Sequence, residues 1–150
     1  MATERNRPYS AFNYLVDLGG GDGTDSPRAG FQEVTGLAVE LTPQEYRAGN
    51  DNRNAPIKIM GMYKVPDVTF KRGVLGATDL LDWLEQVRRG QDARRTVTVQ
   101  LQSEDRSAIA MTWVLEGAQV MKYTGPSLNG KGTDVAMEEL VLCVEEIKFE

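Results

Sequence analysis

The stretch that most invites a chemical reading is residues 125–131, GPSLNGK, which matches the first seven positions of the G-x-x-x-x-G-K-[ST] phosphate loop. In that motif backbone amides cradle phosphates, the lysine reaches the terminal phosphate, and a hydroxyl at position eight holds magnesium. Here position eight is Gly132, and Thr133 comes one residue too late. A phosphate loop also leads into a helix, whereas here the glycine is followed by Thr133 and Asp134. The stretch reads as a glycine turn between strands.

A second loop, residues 19–30 (GGGDGTDSPRAG), sets Asp22 and Asp25 among glycines. It has neither the spacing of a phosphate cradle nor the twelfth-position glutamate of an EF-hand, so it reads as a plain surface loop. The adjacent pairs Glu138, Glu139 and Glu145, Glu146 point to opposite faces if they lie in strands, and cannot then share a proton or a metal. Cys143 sits in the apolar run LVLCV and is expected to be a buried small hydrophobe. Arg88, Arg89, Arg94 and Arg95 form the densest basic cluster. No aromatic residues interleave with it, so it reads as helix capping plus a solvated loop, with an interaction surface as the alternative. The chain has no histidine, the commonest general base. Nothing assembles a nucleophile, a base and an anion site; no enzyme activity, cofactor or metal is expected.

These residues need elements to position them. At 150 residues, with 41% hydrophobic and 26% charged, the chain has the composition of one ordinary globular domain. That length buries roughly 68–70% of the unfolded surface without a disulfide or metal. The formal charge of −5 argues against a protein whose whole surface binds nucleic acid. No apolar run approaches the ~18 residues of a membrane span, and the first ten residues lack a secretory segment, so synthesis in the cytoplasm is expected.

Residues 64–101 organise the rest as strand, glycine turn, helix, glycine stop, strand. Leu80, Trp83, Leu84 and Val87 recur at helical spacing. Thr78 stands where its hydroxyl can accept from a first-turn amide, Asp79 and Asp82 lie at the positive end of the dipole, and Arg88 and Arg89 lie at the other. Glu85 can reach Arg88 or Arg89, and Gly90 can end the helix in the left-handed region. The flanking strands suit either a parallel crossover or a long connection in an antiparallel fold.

Residues 1–10 are polar and read as a flexible arm before a single domain over 11–150. Alternation predicts strands around Phe12–Leu18, within 31–41 with a break at Gly36, and from Ile57 to Val65. It also predicts a hairpin about the 103–107 turn with Trp113 facing the core, and a further strand at 119–123. The last run, 135–150, reads as a buried central strand with a kink near Glu145. Residues 42–56 (TPQEYRAGNDNRNAP) form a polar connection of about fifteen residues, long for a compact domain and expected to be functional or ordered by something else.

The order of AFNYLVDL, GFQEVTGLAVEL, EYRAGNDNRNAPIKI, VTFKRGV, LLDWLEQVRRG, TVTVQL and GPSLNGKGTDVAMEELVL resembles the tail tube proteins of contractile phage tails and phage-tail-like contractile injection systems. The resemblance covers nearly the whole chain. It implies a mainly β fold of two packed antiparallel sheets forming a sandwich or barrel, with one α-helix on the outside. It further implies a structural role without catalysis: homo-hexameric rings stacked into an inner tube within a sheath, meeting baseplate and spike proteins. The lumen would carry payload, with a protein effector favoured and DNA the alternative, inside a phage-tail-like particle or virion. Ring contacts would fall on Tyr46, Arg47, Asn50, Asp51, Asn52, Arg53 and Asn54, and a sheath-facing or neighbour-facing helix surface on Asp82, Glu85 and Arg89. The alternatives are a secreted type VI tube-like hexameric ring and a small-ligand-binding β-barrel.

Overall fold

The computed structural model describes residues 4–20, 23 and 29–150; Asp22 and Asp25 lie outside them. Among the described residues, nine strands and one helix follow in the order β1 (Tyr14–Asp17), β2 (Glu33–Thr35), β3 (Glu40–Tyr46), β4 (Ile57–Lys64), β5 (Val68–Gly73), α1 (Asp79–Arg88), β6 (Arg95–Gln102), β7 (Ile109–Thr124), β8 (Met137–Cys143) and β9 (Glu146–Phe149). Every strand pairing among them is antiparallel, so α1 is a long connection and not a parallel crossover.

One strand makes the architecture. β7 runs 16 residues, and sequence alternation alone divides it into two strands because Gly117 interrupts the pattern. Gly117 instead bends a continuous strand, at φ 67°. Before it, β7 lies between β6 and β9; after it, β7 pairs with β8, which carries β5 and then β2. Seven of the strands thus form two antiparallel sheets, β1-β6-β7-β9 and β7-β8-β5-β2, joined at a corner, and β3 and β4 form a separate two-stranded ribbon.

The kink expected near Glu145 is the matching corner on the neighbouring strand. Cys143 pairs with Gln119 and Glu146 with Glu116, so β8 and β9 follow the same edge of β7 with a break opposite Gly117. A side chain at 117 would meet the Glu145 carboxyl group at 2.6 Å.

Both sheets line one core. Val16, Val97, Val99 and Leu115 enter from one, Val68, Phe70, Leu140 and Leu142 from the other, and Leu80 and Trp83 from the helix. Leu84 and Val87 pack against this core from its margin. Trp113 is half-buried against the core, while Ala110 and Thr112 take the buried positions earlier in β7. β8 alternates inward through Glu138, Leu140 and Leu142, which turns Cys143 outward. Cys143 is therefore exposed, contrary to the reading of its apolar neighbours.

The helix ends differ in how they are held. Thr78 makes no side-chain cap; its hydroxyl donates instead to Asp82 Oδ2 at 3.2 Å, and the backbone N–H of Asp82 bonds the Thr78 carbonyl. The start is secured by Asp79, bonded to Arg72 of β5. At the other end Gly90 is left-handed at φ 79°, and Glu85 pairs with Arg88. Trp83 Nε1 donates to the Ala93 carbonyl at 2.7 Å and the Arg95 guanidinium lies 4.4 Å over its ring, tying helix to following strand. With Arg88 on Glu85, Arg94 on Glu145 and Arg95 on Trp83, three of the cluster's four arginines are divided among separate contacts.

Candidate assembly surfaces

The most exposed ordered element is the β3–β4 hairpin. Its strands pair only with each other, and all 7 residues of β3 and all 8 of β4 are exposed. Residues 42–46, expected within the long connection, are instead strand: Gln44, Glu45 and Tyr46 pair with Ile59, Lys58 and Ile57. Their polarity hid this, because a strand open to water on both faces has no hydrophobic alternation. Pro43, which lacks an N–H, is tolerated beside a register shift.

The remaining connection, residues 47–56, is braced from within. Arg47 donates through Nε to the Arg53 carbonyl at 2.9 Å and through a terminal nitrogen to the Asp51 carbonyl at 3.2 Å. The Arg53 N–H donates to Asp51 Oδ1 at 3.0 Å, and the Asp51 N–H to the Ala48 carbonyl at 3.1 Å. Arg47 and Asp51 thus shape the tip, while Asn50, Asn52, Arg53 and Asn54 present exposed side chains and Tyr46 stands 59% exposed at the strand end.

On α1 Asp82 is exposed and Glu85 half-buried, and Arg89, the C-cap residue just after the helix, is exposed. The three share one helix side at i, i+3 and i+7 spacing. Asp82 takes the Thr78 hydroxyl and Glu85 takes Arg88, so this charged surface is already locally ordered.

Sequence reasoning missed the buried ionic cluster that fixes the helix. Arg72 is 1% exposed; it donates through Nε to Glu138 Oε1 at 2.8 Å and through its terminal nitrogens to both Asp79 oxygens at 3.2 and 2.9 Å. The Tyr123 hydroxyl donates to Glu138 Oε2 at 2.6 Å. Burial opposes the Arg72 charge, but its bonds to Asp79 and Glu138 outweigh this and raise its pKa. Burial also pushes the Asp79 carboxyl up, and the bonds from Arg72 hold it below the usual carboxylate range. Burial, followed by Glu138, pushes Tyr123 up to about 12. Every charge is matched, so the cluster is structural. Its only sequence signal is the inward phase of Glu138 in β8.

The other chemical candidates disperse. Residues 125–136 contain no helix and run into β8; Asn129 accepts from the N–H groups of Gly132 and Lys131, both at 3.0 Å, in an exposed turn. A cleft of about 210 Å³ gathers Asp17, Asp79, Asp82 and Arg95, but Asp79 is bound to Arg72 and Arg95 lies on Trp83. Among the described residues no group of histidine, cysteine or carboxylate side chains is placed to hold a metal. In residues 4–10, Arg5 bonds Glu104 at 2.6 Å and its guanidinium lies 3.6 Å over Tyr9.

Among solved structures, the chain is similar to a protein of the PVC sheath-tube complex of an extracellular contractile injection system, with TM-score 0.83 and 25% identity over 97% of this chain and 93% of that one. It is similar to a protein of the PVC sheath/tube terminator in the extended state, with TM-score 0.83 and 26% identity over 96% and 97%. Hcp1 from Flavobacterium johnsoniae shares the fold alone, with TM-score 0.58 and 14% identity over 91% and 93%. No curated protein sequence matches. The family model described as T4-like virus tail tube protein gp19 matches residues 10–148, and the chain belongs to that family.

Proposed function

We propose that this chain is the repeating structural subunit of an inner tail tube, in which hexameric rings stack into a channel inside a contractile sheath. The family and the fold are those of structural tube proteins. The observation that carries the reading for this chain is the β3–β4 hairpin: fifteen strand residues without cover, Leu41, Ile57, Ile59 and Tyr63 among them. An isolated two-stranded hairpin is at best marginally stable in water, and an exposed apolar edge invites pairing, so this element is built to be completed by another molecule.

In this reading Tyr46 and the 47–54 tip contact neighbouring subunits, and Asp82, Glu85 and Arg89 face the sheath or an adjacent subunit. The first two structures above come from sheath-bound tube assemblies, and a further similar fold comes from a 6-fold symmetrised baseplate; both support sheath and baseplate partners here. The tube does no catalysis. Sheath contraction drives it through a target envelope, with a protein payload favoured for the lumen. Residues 1–10 serve as an N-terminal arm ahead of the single domain of residues 11–150; Arg5 docks it on Glu104 of its own chain and a neighbouring subunit completes its order. The subunit is made in the cytoplasm and assembled into a phage-tail-like particle.

Deleting residues 48–54 tests the reading. The variant should keep the circular dichroism spectrum and cooperative unfolding of the parent, because the loop braces only itself, yet form no tubes. Unchanged tube growth would show that the loop is not an assembly contact.

A further inference from the structure

We propose that Asn129 is a site of spontaneous covalent modification, where water converts its side-chain amide to aspartate and isoaspartate through a cyclic imide. An asparagine reacts in this way when the backbone nitrogen of the next residue reaches its side-chain carbonyl carbon, and a side chain on that next residue obstructs the approach. Of the asparagines in the chain, only Asn129 precedes glycine. Gly130 brings no Cβ and leaves the backbone free to turn. Both residues are exposed, and beyond its chain neighbours nothing lies within 4 Å of where a Cβ of residue 130 would stand. This chemistry is independent of assembly into a tube.

The turn holds the reacting groups close together. The Lys131 N–H donates to Asn129 Oδ1 at 3.0 Å and the Gly132 N–H to the Asn129 carbonyl at 3.0 Å, closing the side chain of Asn129 over Gly130. Among the described residues, the Gly130 N–H has no hydrogen-bond partner. In the reaction this N–H gives its proton to hydroxide, and its nitrogen forms a bond to Cγ of Asn129. Negative charge develops on Oδ1, where the Lys131 N–H already donates. The bond from Cγ to Nδ2 then breaks, and that nitrogen takes a proton from water and leaves as ammonia. A water molecule opens the five-membered imide. Attack at Cγ gives aspartate; attack at the main-chain carbonyl gives isoaspartate, whose backbone runs through the former side chain. No oxidant or reductant is needed.

The fold withholds the same chemistry from the other asparagines. Asn13 is buried, its Nδ2 donates to the Glu104 carbonyl at 3.1 Å, its Oδ1 accepts from Arg106, and Tyr14 after it lies in β1. In the hairpin tip the nitrogens that would attack are engaged. The Asp51 N–H, after Asn50, bonds the Ala48 carbonyl at 3.1 Å, and the Arg53 N–H, after Asn52, bonds Asp51 Oδ1 at 3.0 Å. Asn6 and Asn54 precede Arg7 and Ala55, which carry side chains. The products fit the loop at 129. An aspartate there can still accept the Lys131 N–H, and it adds one negative charge to a chain of formal charge −5. Residues 127–135 are exposed, and the Val74 N–H bond to the Ala136 carbonyl ties the end of the segment to the body. The extra backbone atom of isoaspartate is therefore absorbed within the loop.

Full-length protein held for days in mildly alkaline buffer, then digested and analysed by peptide mass spectrometry, tests the assignment, with the same protein unfolded in guanidinium chloride run in parallel. In the native chain the peptide carrying Asn129 should gain the mass of an amide-to-acid conversion and separate chromatographically into aspartate and isoaspartate forms, at a rate no lower than in the unfolded chain. Asn13, Asn50 and Asn52 should remain amides. Gly130 is not left-handed and has room for a Cβ, so Gly130→Ala should keep the parent's circular dichroism spectrum. It should slow conversion at Asn129 roughly tenfold, because the added methyl group restricts the approach of the nitrogen. An Asn129 that persists in the native chain while the unfolded chain converts, equal conversion at the other asparagines, or conversion of Gly130→Ala at the parent's rate would overturn the assignment.

Discussion

Replacing Arg72 with methionine should test the buried ionic cluster as the anchor of α1. The substitution keeps a long apolar stem but removes the cation from between Glu138, 4% exposed, and Asp79, whose side chain is 19% exposed. Glu138 would then keep only the Tyr123 hydroxyl among the partners described for it. Removing one member of a buried pair strands the other charge, at a cost of about 3–5 kcal/mol. For a domain of this size each kcal/mol corresponds to about 2–4 °C, so the melting temperature should fall by roughly 6–20 °C.

The pH dependence gives a second readout. Asp79 is held below its ordinary range by Arg72, so its contribution is present above the unfolded-state value and is lost as pH falls through the folded value. The parent should therefore weaken below about pH 4, and the Arg72→Met variant should lose that part of its acid sensitivity. Denaturant unfolding of the unassembled protein between neutral and acidic pH measures both effects. A loss under about 1 kcal/mol, the level of an exposed ion pair, would refute the argument that this cluster is buried and essential.

Two glycines should rank by the nature of their obstacle. Alanine at Gly36 requires φ near 95° and places a Cβ 2.3 Å from the Asp67 carbonyl oxygen, which is backbone; alanine at Gly117 requires φ near 67° and meets only the flexible Glu145 side chain. Each left-handed placement costs about 1–2 kcal/mol, and Gly36→Ala should exceed Gly117→Ala in denaturant unfolding; the reverse order would contradict the geometry. Trp83→Phe leaves the buried Ala93 carbonyl without its indole donor and should cost about 1–3 kcal/mol by the same assay, with no change indicating that the bond is dispensable.

The helix was legible from sequence because its signals are local: Leu80 and Trp83 lie on the buried face, and Gly90 makes the stop. The corner at Gly117 was not, since a bulge that bends one strand and a turn that separates two leave the same break in alternation. Cys143 was misplaced because an apolar run does not reveal which of its two faces is covered; in the isolated subunit only the phase of Leu140 and Leu142 is. Arg72 was silent because its partners come from α1 and β8, 7 and 66 residues away. For the proposed assembly surface, the length and polarity of residues 42–56 single out the stretch that the structure shows as the exposed end of the β3–β4 hairpin. The register shift beside Pro43 depends on cross-strand pairing and could only be seen folded.

The central claim is self-assembly, and electron microscopy of the purified protein tests it most directly. The account predicts stacked six-fold rings with an open channel. Isolated rings that never stack would favour the free-ring alternative, and monomers that bind a lipophilic dye would contradict the tube altogether.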